Sequence, residues 1–177
     1  MNSINQQQPE DNYQDLNGPD AVKKLKELAD KATCFFCTNI KTGIPFSTRP
    51  MAVQQIDDEG NFWFLFANDS NTYQEINADP FVHLLFKGSD HSDFLNIYGI
   101  ATSSADKEKI AELWDPLMKT WFTEGQDDAR IAVLKVEPSE GYYWNNKHGN
   151  AIAFAKMVVG AVIGKTLDDS IEGKVEL

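Results

Sequence analysis

Phe62-Trp63-Phe64-Leu65-Phe66-Ala67-Asn68-Asp69-Ser70-Asn71-Thr72 decides how this chain folds. Five large apolar residues in succession leave no side for water, so residues 62–67 read as a strand buried on both faces. A polar turn follows at once and opens a helix that Pro80 stops. A strand of this kind suits a closed barrel capped by helices better than a sheet with one wet face. Around it lie further runs rich in aromatic and β-branched residues, at 34–40, 46–56, 81–86, 94–102 and 131–136. The breaks between them carry turn chemistry, as in Lys41-Thr42-Gly43, Asp57-Asp58-Glu59-Gly60-Asn61 and Gly88-Ser89-Asp90. Connections this short favour antiparallel neighbours, and the expectation is a mainly β, α+β domain.

Helical spacing marks the remaining elements. Asp20 is placed to cap a helix in which Val22, Leu25, Leu28, Ala29 and Ala32 recur opposite lysines. A second helix covers residues 70–78. A third begins at Ser103 with a Ser-x-x-Asp cap and presents Ile110, Leu113, Trp114 and Leu117 on one face. A fourth spans 150–162, where small residues and Gly160 permit close packing. Residues 1–17 are polar and Gln/Asn-rich, too poor in apolar surface to offset the entropy of ordering. They read as a disordered tail before a single domain at 18–177.

The chain of 177 residues has a formal net charge of -11, which repels polyanions. Nucleic acid and acidic membrane surfaces are therefore not expected partners. The first twenty residues lack a basic start followed by an apolar run, and the apolar stretch at 151–163 is too short to span a bilayer. A cytoplasmic location is the default expectation.

Only two arginines occur, Arg49 and Arg130. Arg49 stands in Ser47-Thr48-Arg49-Pro50-Met51, where the proline marks a bulge or a sheet edge at which side chains are re-aimed. In so acidic a chain it needs an anionic partner, either an ordinary carboxylate of the protein or a ligand. Downstream, the helix start at Ser70 brings together free backbone N–H groups, the helix dipole and the hydroxyls of Ser70 and Thr72. A phosphate binds readily there; equally, Ser70 simply caps its helix. Taken together, the two features suggest a phosphate held between Arg49 and that helix start. Gly141-Tyr142-Tyr143-Trp144, following the last barrel strand, offers rings that could stack on a flat ligand or serve as core or dimer contacts.

These residues, with Gly99, Trp114-Asp115-Pro116, Trp121-Phe122 and Asp127-Asp128, are arranged in an order and spacing that resembles the pyridoxamine 5'-phosphate oxidase-like FMN-binding split barrels, and within them the general stress protein branch. The likeness covers roughly residues 20–177. It implies a split β-barrel of about six to seven mostly antiparallel strands with flanking helices, holding FMN non-covalently in a homodimer. It also implies that Arg49, Pro50, Met51 and backbone up to about Gln54 line the flavin. Phe66, Ala67 and Asn68 would follow its ring and ribityl chain, Ser70, Asn71 and Thr72 would meet the phosphate, and Trp144 would approach from the other subunit.

Two departures bear on function. Where many relatives carry basic residues after the serine, this chain has Asn71 and Thr72, which implies a weaker grip on a phosphate dianion. The arginines and histidine that true pyridoxamine 5'-phosphate oxidases carry after the tryptophan are replaced by Asn145-Asn146-Lys147-His148, which argues against vitamin B6 oxidation. The reading is an FMN-dependent oxidoreductase acting on a small molecule, without an evident general acid or base. Its competitors are a non-catalytic FMN-binding or sensing module and a split-barrel protein using deazaflavin or haem. Cys34 and Cys37 lie in a strand rather than at a helix start, so they read as buried structural thiols and not a redox or metal pair. His83 reads as a satisfied core residue, His91 as an exposed turn residue, and no metal site is expected.

Overall fold

The computed structural model describes residues 11–43, 45–89, 92–164, 167 and 169–177. The first ten residues of the expected tail, and Asp90 and His91 of the expected turn, lie outside these. The elements run β1 (Leu16–Asn17), α1 (Gly18–Ala29), β2 (Thr33–Thr38), β3 (Ser47–Ala52), β4 (Gln55–Ile56), β5 (Phe62–Ala67), α2 (Asn71–Ala78), β6 (Phe81–Lys87) and β7 (Phe94–Ser104). There follow α3 (Lys107–Leu113), two 3-10 turns at Pro116–Thr120 and Gly125–Asp127, β8 (Ile131–Asn146), α4 (Asn150–Ile163) and β9 (Ser170–Glu176).

All nine strands belong to one mixed sheet, ordered β1-β9-β8-β7-β6-β2-β3, with β5 on β8 and β4 on β5. Every pairing is antiparallel except that of β1 with β9. The barrel expected from residues 62–67 is present in split form. Residues 47–56 pair with β2 through their first half and with β5 through their second, so the wall turns a corner between Ala52 and Gln55 rather than closing as one unbroken ladder. Bonds from the Val53 amide to the Ala32 carbonyl and from the Gln54 amide to the Trp63 carbonyl hold that corner.

The double-sided burial of β5 is explained by two apolar layers. Phe62, Phe64 and Phe66 point into the main core with Phe36, Leu84, Ile97 and Leu134. Leu65 packs outward into a second cluster with Ile110, Leu113, Phe122, Ile131 and Val133, so α3 and the segment after it cover the wall. Phe36 and Phe64 meet edge to face at 5.5 Å, a favoured arrangement of ring quadrupoles. On α1, Leu25, Leu28 and Ala29 are buried as the spacing predicts, but Ala21 rather than Val22 completes the stripe, Ala32 lies beyond the helix, and the helix starts at Gly18 after Asn17, so Asp20 sits in its first turn instead of capping it.

Three further boundaries differ from the sequence reading. Residues 141–144 do not follow the last barrel strand but lie inside β8, which runs for 16 residues. Pro138 is accommodated where the β7–β8 register shifts between Tyr98 and Gly99. A Cβ on Gly99 would lie 2.6 Å from the Glu137 carbonyl oxygen, which requires glycine at this irregularity. β7 extends to Ser104, so α3 begins at Lys107 and its cap is Asp106, whose carboxylate accepts from the amides of Glu108 and Lys109. Ordering of the N-terminal segment begins before Asn17: Tyr13 bridges to Glu172, and Leu16 and Asn17 pair with β9. The chain there crosses so close over Gly173 that any side chain would collide with the Gln14 carbonyl.

Candidate functional site

β3 is one end of the sheet path, opposite β1, and an edge position tolerates Pro50. Along it Arg49 and Met51 are half-buried while Thr48 and Pro50 are exposed, and Met51 packs against the core. The end of β5 and the start of α2 lie beside this edge. Together with residues 118–122 they enclose a cavity of about 540 Å³, within the range of roughly 300–1,000 Å³ usual for small-molecule sites.

Arg49, Pro50, Met51, Phe66, Ala67, Ser70 and Thr72 all line this cavity. Leu65, Met118, Trp121 and Phe122 extend its apolar wall, and Arg130 adds a second cation. Both arginines of the chain thus face one space. Each is braced by a carboxylate. Arg49 Nη2 donates to Glu75 Oε2 at 2.6 Å, and its Nη1 donates to Thr38 Oγ1 at 3.0 Å. Burial alone would push the Glu75 carboxyl up, but hydrogen bonds from Thr38, Arg49 and Ser47 together with the Arg49 charge hold it below its ordinary value. Arg130 forks onto Asp128 through Nε at 3.0 Å and Nη2 at 2.7 Å, and also donates to the Trp121 carbonyl at 3.1 Å. That guanidinium is the main reason Asp128 is held below the ordinary carboxylate value.

Arg49 therefore has the protein carboxylate that the sequence left open as its partner. Ser70 also performs the plainer of its two roles: its hydroxyl donates to the Ala67 carbonyl at 2.6 Å and accepts from the Tyr73 amide at 3.2 Å, capping α2. Both residues still reach the cavity. With Gln54, Thr72 and Arg130 they make a polar edge beside the apolar surface of Leu65, Phe66, Met118, Trp121 and Phe122.

Three residues expected at the site are not among those lining the cavity. The Asn68 side chain turns to the Ala129 carbonyl at 2.9 Å, and Asn71 is exposed on the first turn of α2. Trp144 sits on the far half of β8, paired across the sheet with Phe94 and Glu172 and with its ring 4.6 Å from Tyr142. Sequence reasoning assigned no role to Leu65, Met118, Trp121, Phe122 or Arg130. The available signal was the scarcity of arginine, which singles out Arg130 as readily as Arg49.

Cys34 and Cys37 are free and buried, and burial pushes the Cys34 thiol up to about 12. Among the described residues, no group of three or more His, Cys, Asp or Glu could hold a metal ion. His83 is hydrogen-bonded as expected, to Asn96 at 3.1 Å, but it stacks on Tyr98 at 4.0 Å on the outer face and is only half-buried. Burial there pushes its pKa down. No helix among the described residues is long and apolar enough to cross a membrane.

Residues 20–168 match the family described as pyridoxamine 5'-phosphate oxidase like. The chain belongs to that family. The protein bli-3 of Neurospora crassa is 22% identical over 174 residues, covering 89% of this chain and 83% of bli-3. Among solved structures, one described as general stress protein 26 from Jannaschia sp. CCS1 superposes with a TM-score of 0.70 at 21% identity, covering 88% of this chain and 95% of the other. The general stress FMN/FAD binding protein of Xanthomonas citri gives 0.57 at 24% identity, with 68% and 84% covered. These structures share the fold.

Proposed function

We propose that this pyridoxamine 5'-phosphate oxidase-like protein binds FMN non-covalently in the cavity between β3, β5 and the start of α2, as a cytoplasmic homodimer. The observation that carries the proposal is the convergence in one cavity of Arg49, Pro50, Met51, Phe66, Ala67, Ser70 and Thr72 from β3, β5 and the start of α2. The fit is chemical as well as spatial. Met51, Phe66 and Trp121 would flank the ring system, and Arg49 with the Thr72 hydroxyl would hold the phosphate, joined by Ser70 once its single O–H turns from the Ala67 carbonyl to the ligand. Asn68 and Asn71 would have to turn toward the ligand to take part. Trp144, which does not line its own cavity, would approach that of the second subunit. The X. citri relative, named for FMN/FAD binding, supports a flavin.

When bound, the flavin supplies the electron chemistry, and the protein contributes orientation and shelter from water. The reaction class is oxidation or reduction of a small molecule. Among the described residues, Arg49 and Arg130 are the only charged side chains lining the cavity, and neither yields a proton near neutral pH. Proton transfers therefore fall to water or to the substrate. Arg49 must share itself between Glu75 and a phosphate, which favours modest affinity over permanent retention.

The test is the visible spectrum of the purified protein, followed by titration with FMN and reduction with NAD(P)H. Flavin bands that bleach with the nucleotide support the enzyme, whereas flavin bands inert to every reductant leave a binding module. Failure to take up FMN, with uptake of deazaflavin or haem instead, overturns the proposal.

A further inference from the structure

The flavin reading uses Arg49, Ser70 and Thr72 for the phosphate and Met51, Phe66 and Trp121 for the ring. A second part of the same cavity is left without a role. Leu65, Met118 and Phe122 form its apolar side, and Gln54 and Arg130 are its polar groups. Met118 and Phe122 offer sulfur and ring contacts to a planar π-system.

Charge decides what this part can hold. Arg130 is the obvious group to bind an anion, but its guanidinium is already committed. Nε and Nη2 fork onto Asp128 at 3.0 and 2.7 Å, and Nη2 also donates to the Trp121 carbonyl at 3.1 Å. Swinging it to a ligand would strand the Asp128 carboxylate, whose side chain is 5% exposed, and an ionised group left buried without its partner is costly. The carboxylates of Asp69 and Glu124 also stand near enough for their charge to act on Arg130. One cation is thus set against three carboxylates, before a flavin phosphate brings further negative charge. A cation would be drawn by the net charge of -11. Among the described residues, however, no Asp or Glu lines the cavity to pair with it once water is lost.

What remains suits an uncharged molecule. Nη1 of Arg130 makes no hydrogen bond among the described residues, and it can donate to a neutral carbonyl without releasing Asp128. The Gln54 side-chain nitrogen is spent on the Ala52 carbonyl at 3.1 Å, so Arg130 is the donor left for a ligand here. Resting on the flavin reading, we infer that the small-molecule substrate of this cavity is an uncharged, planar carbonyl compound without phosphate or carboxylate. Its ring lies against Leu65, Met118 and Phe122, its carbonyl accepts from Arg130, and the Asp128–Arg130 pair excludes anions.

The test uses the full-length protein saturated with FMN, which keeps Arg49 occupied, and three probes of one shape: 2-naphthamide, 2-naphthoate and 2-naphthylmethylammonium. Titration calorimetry should give the amide an affinity about tenfold or more above that of either charged probe. Its affinity should hold steady between roughly 50 and 500 mM salt, whereas that of the naphthoate should rise as screening weakens repulsion by Asp69, Glu124 and Asp128. Asp128→Asn, which removes one of these charges and releases the guanidinium, should tighten the naphthoate about fivefold and leave the amide within about twofold, with circular dichroism checking the fold. If that variant does not fold, the wild-type salt series decides. Naphthoate that binds as tightly as the amide, or more weakly as salt rises, overturns the inference, as does an ammonium probe that binds tightest. Binding of none of the three to the FMN-saturated protein overturns it and leaves the flavin reading standing. A protein that takes up no FMN overturns the flavin reading first, and this inference with it.

Discussion

Replacing Arg49 with alanine asks whether the guanidinium grips a phosphate or serves only Glu75. A charge-assisted hydrogen bond to a phosphate is worth about 1.5–3 kcal/mol. The Arg49–Glu75 pair must loosen to make it; the two side chains are 23% and 19% exposed, so this half-buried pair stands at or above the upper end of the range for exposed pairs, about 1 kcal/mol. The loss of Arg49 also leaves the Glu75 carboxylate, held ionised by Thr38 and Ser47, facing the incoming anion. The net expectation is a loss of about 2 kcal/mol, roughly 30-fold in Kd for FMN. Riboflavin, which has the ring but no phosphate, is the control, and its affinity should change less than about threefold, under 1 kcal/mol. Glu75→Gln should shift FMN the other way, tightening it by up to about fivefold as the competing charge is removed. Quenching of tryptophan fluorescence measures all three. An equal loss for FMN and riboflavin, or no loss for FMN, would refute the assignment of the phosphate to Arg49.

Three further outcomes follow from the same structure. Burial alone would push Asp169 up, but hydrogen bonds from His148 and Lys156 lower it from 3.8 to about 2. Its contribution is then fully present above the ordinary value and fades as the pH falls toward 2; Asp169→Asn should remove on the order of 2 kcal/mol of that acid-dependent stability, read from urea unfolding at several pH values. Phe64 is fully buried against Phe36, so Phe64→Ala should cost about 3–5 kcal/mol, with a matching fall in the denaturation midpoint. Cys34 is buried with its thiol raised to about 12, so it should resist a thiol reagent at neutral pH until denaturant is added; prompt labelling of the native protein would contradict this.

The fold was legible where apolar residues left no alternative. Residues 62–67 needed apolar neighbours on both sides, and the two layers around Phe64 and Leu65 supply them. What escaped was structure carried by register rather than composition. β9 alternates Ile171, Gly173 and Val175 with charged residues over a short stretch at the chain's end, and it is held between β8 on one side and β1 on the other. The path of β8 through Pro138 depends on a register shift in its neighbour, which a local reading cannot foresee. At the cavity, the contributions of β3, β5 and α2 could be read because each carries its own signal in sequence: a proline at an edge, an apolar strand, a helix cap. Met118, Trp121 and Phe122 lie some fifty residues further along the chain, and it is the packing of their segment over β5 and β8 that brings them to the cavity. Arg49 illustrates the remaining limit, since the sequence showed that it needs an anion but not that Glu75, from the second turn of α2, would stand beside it.

The most direct measurement is a crystal structure of the protein soaked with FMN. The account predicts density for the ring system against Met51 and Phe66, with the phosphate between Arg49 and the hydroxyls of Ser70 and Thr72. Flavin density elsewhere, or an empty cavity at saturating FMN with Arg49 still held by Glu75 alone, would contradict it.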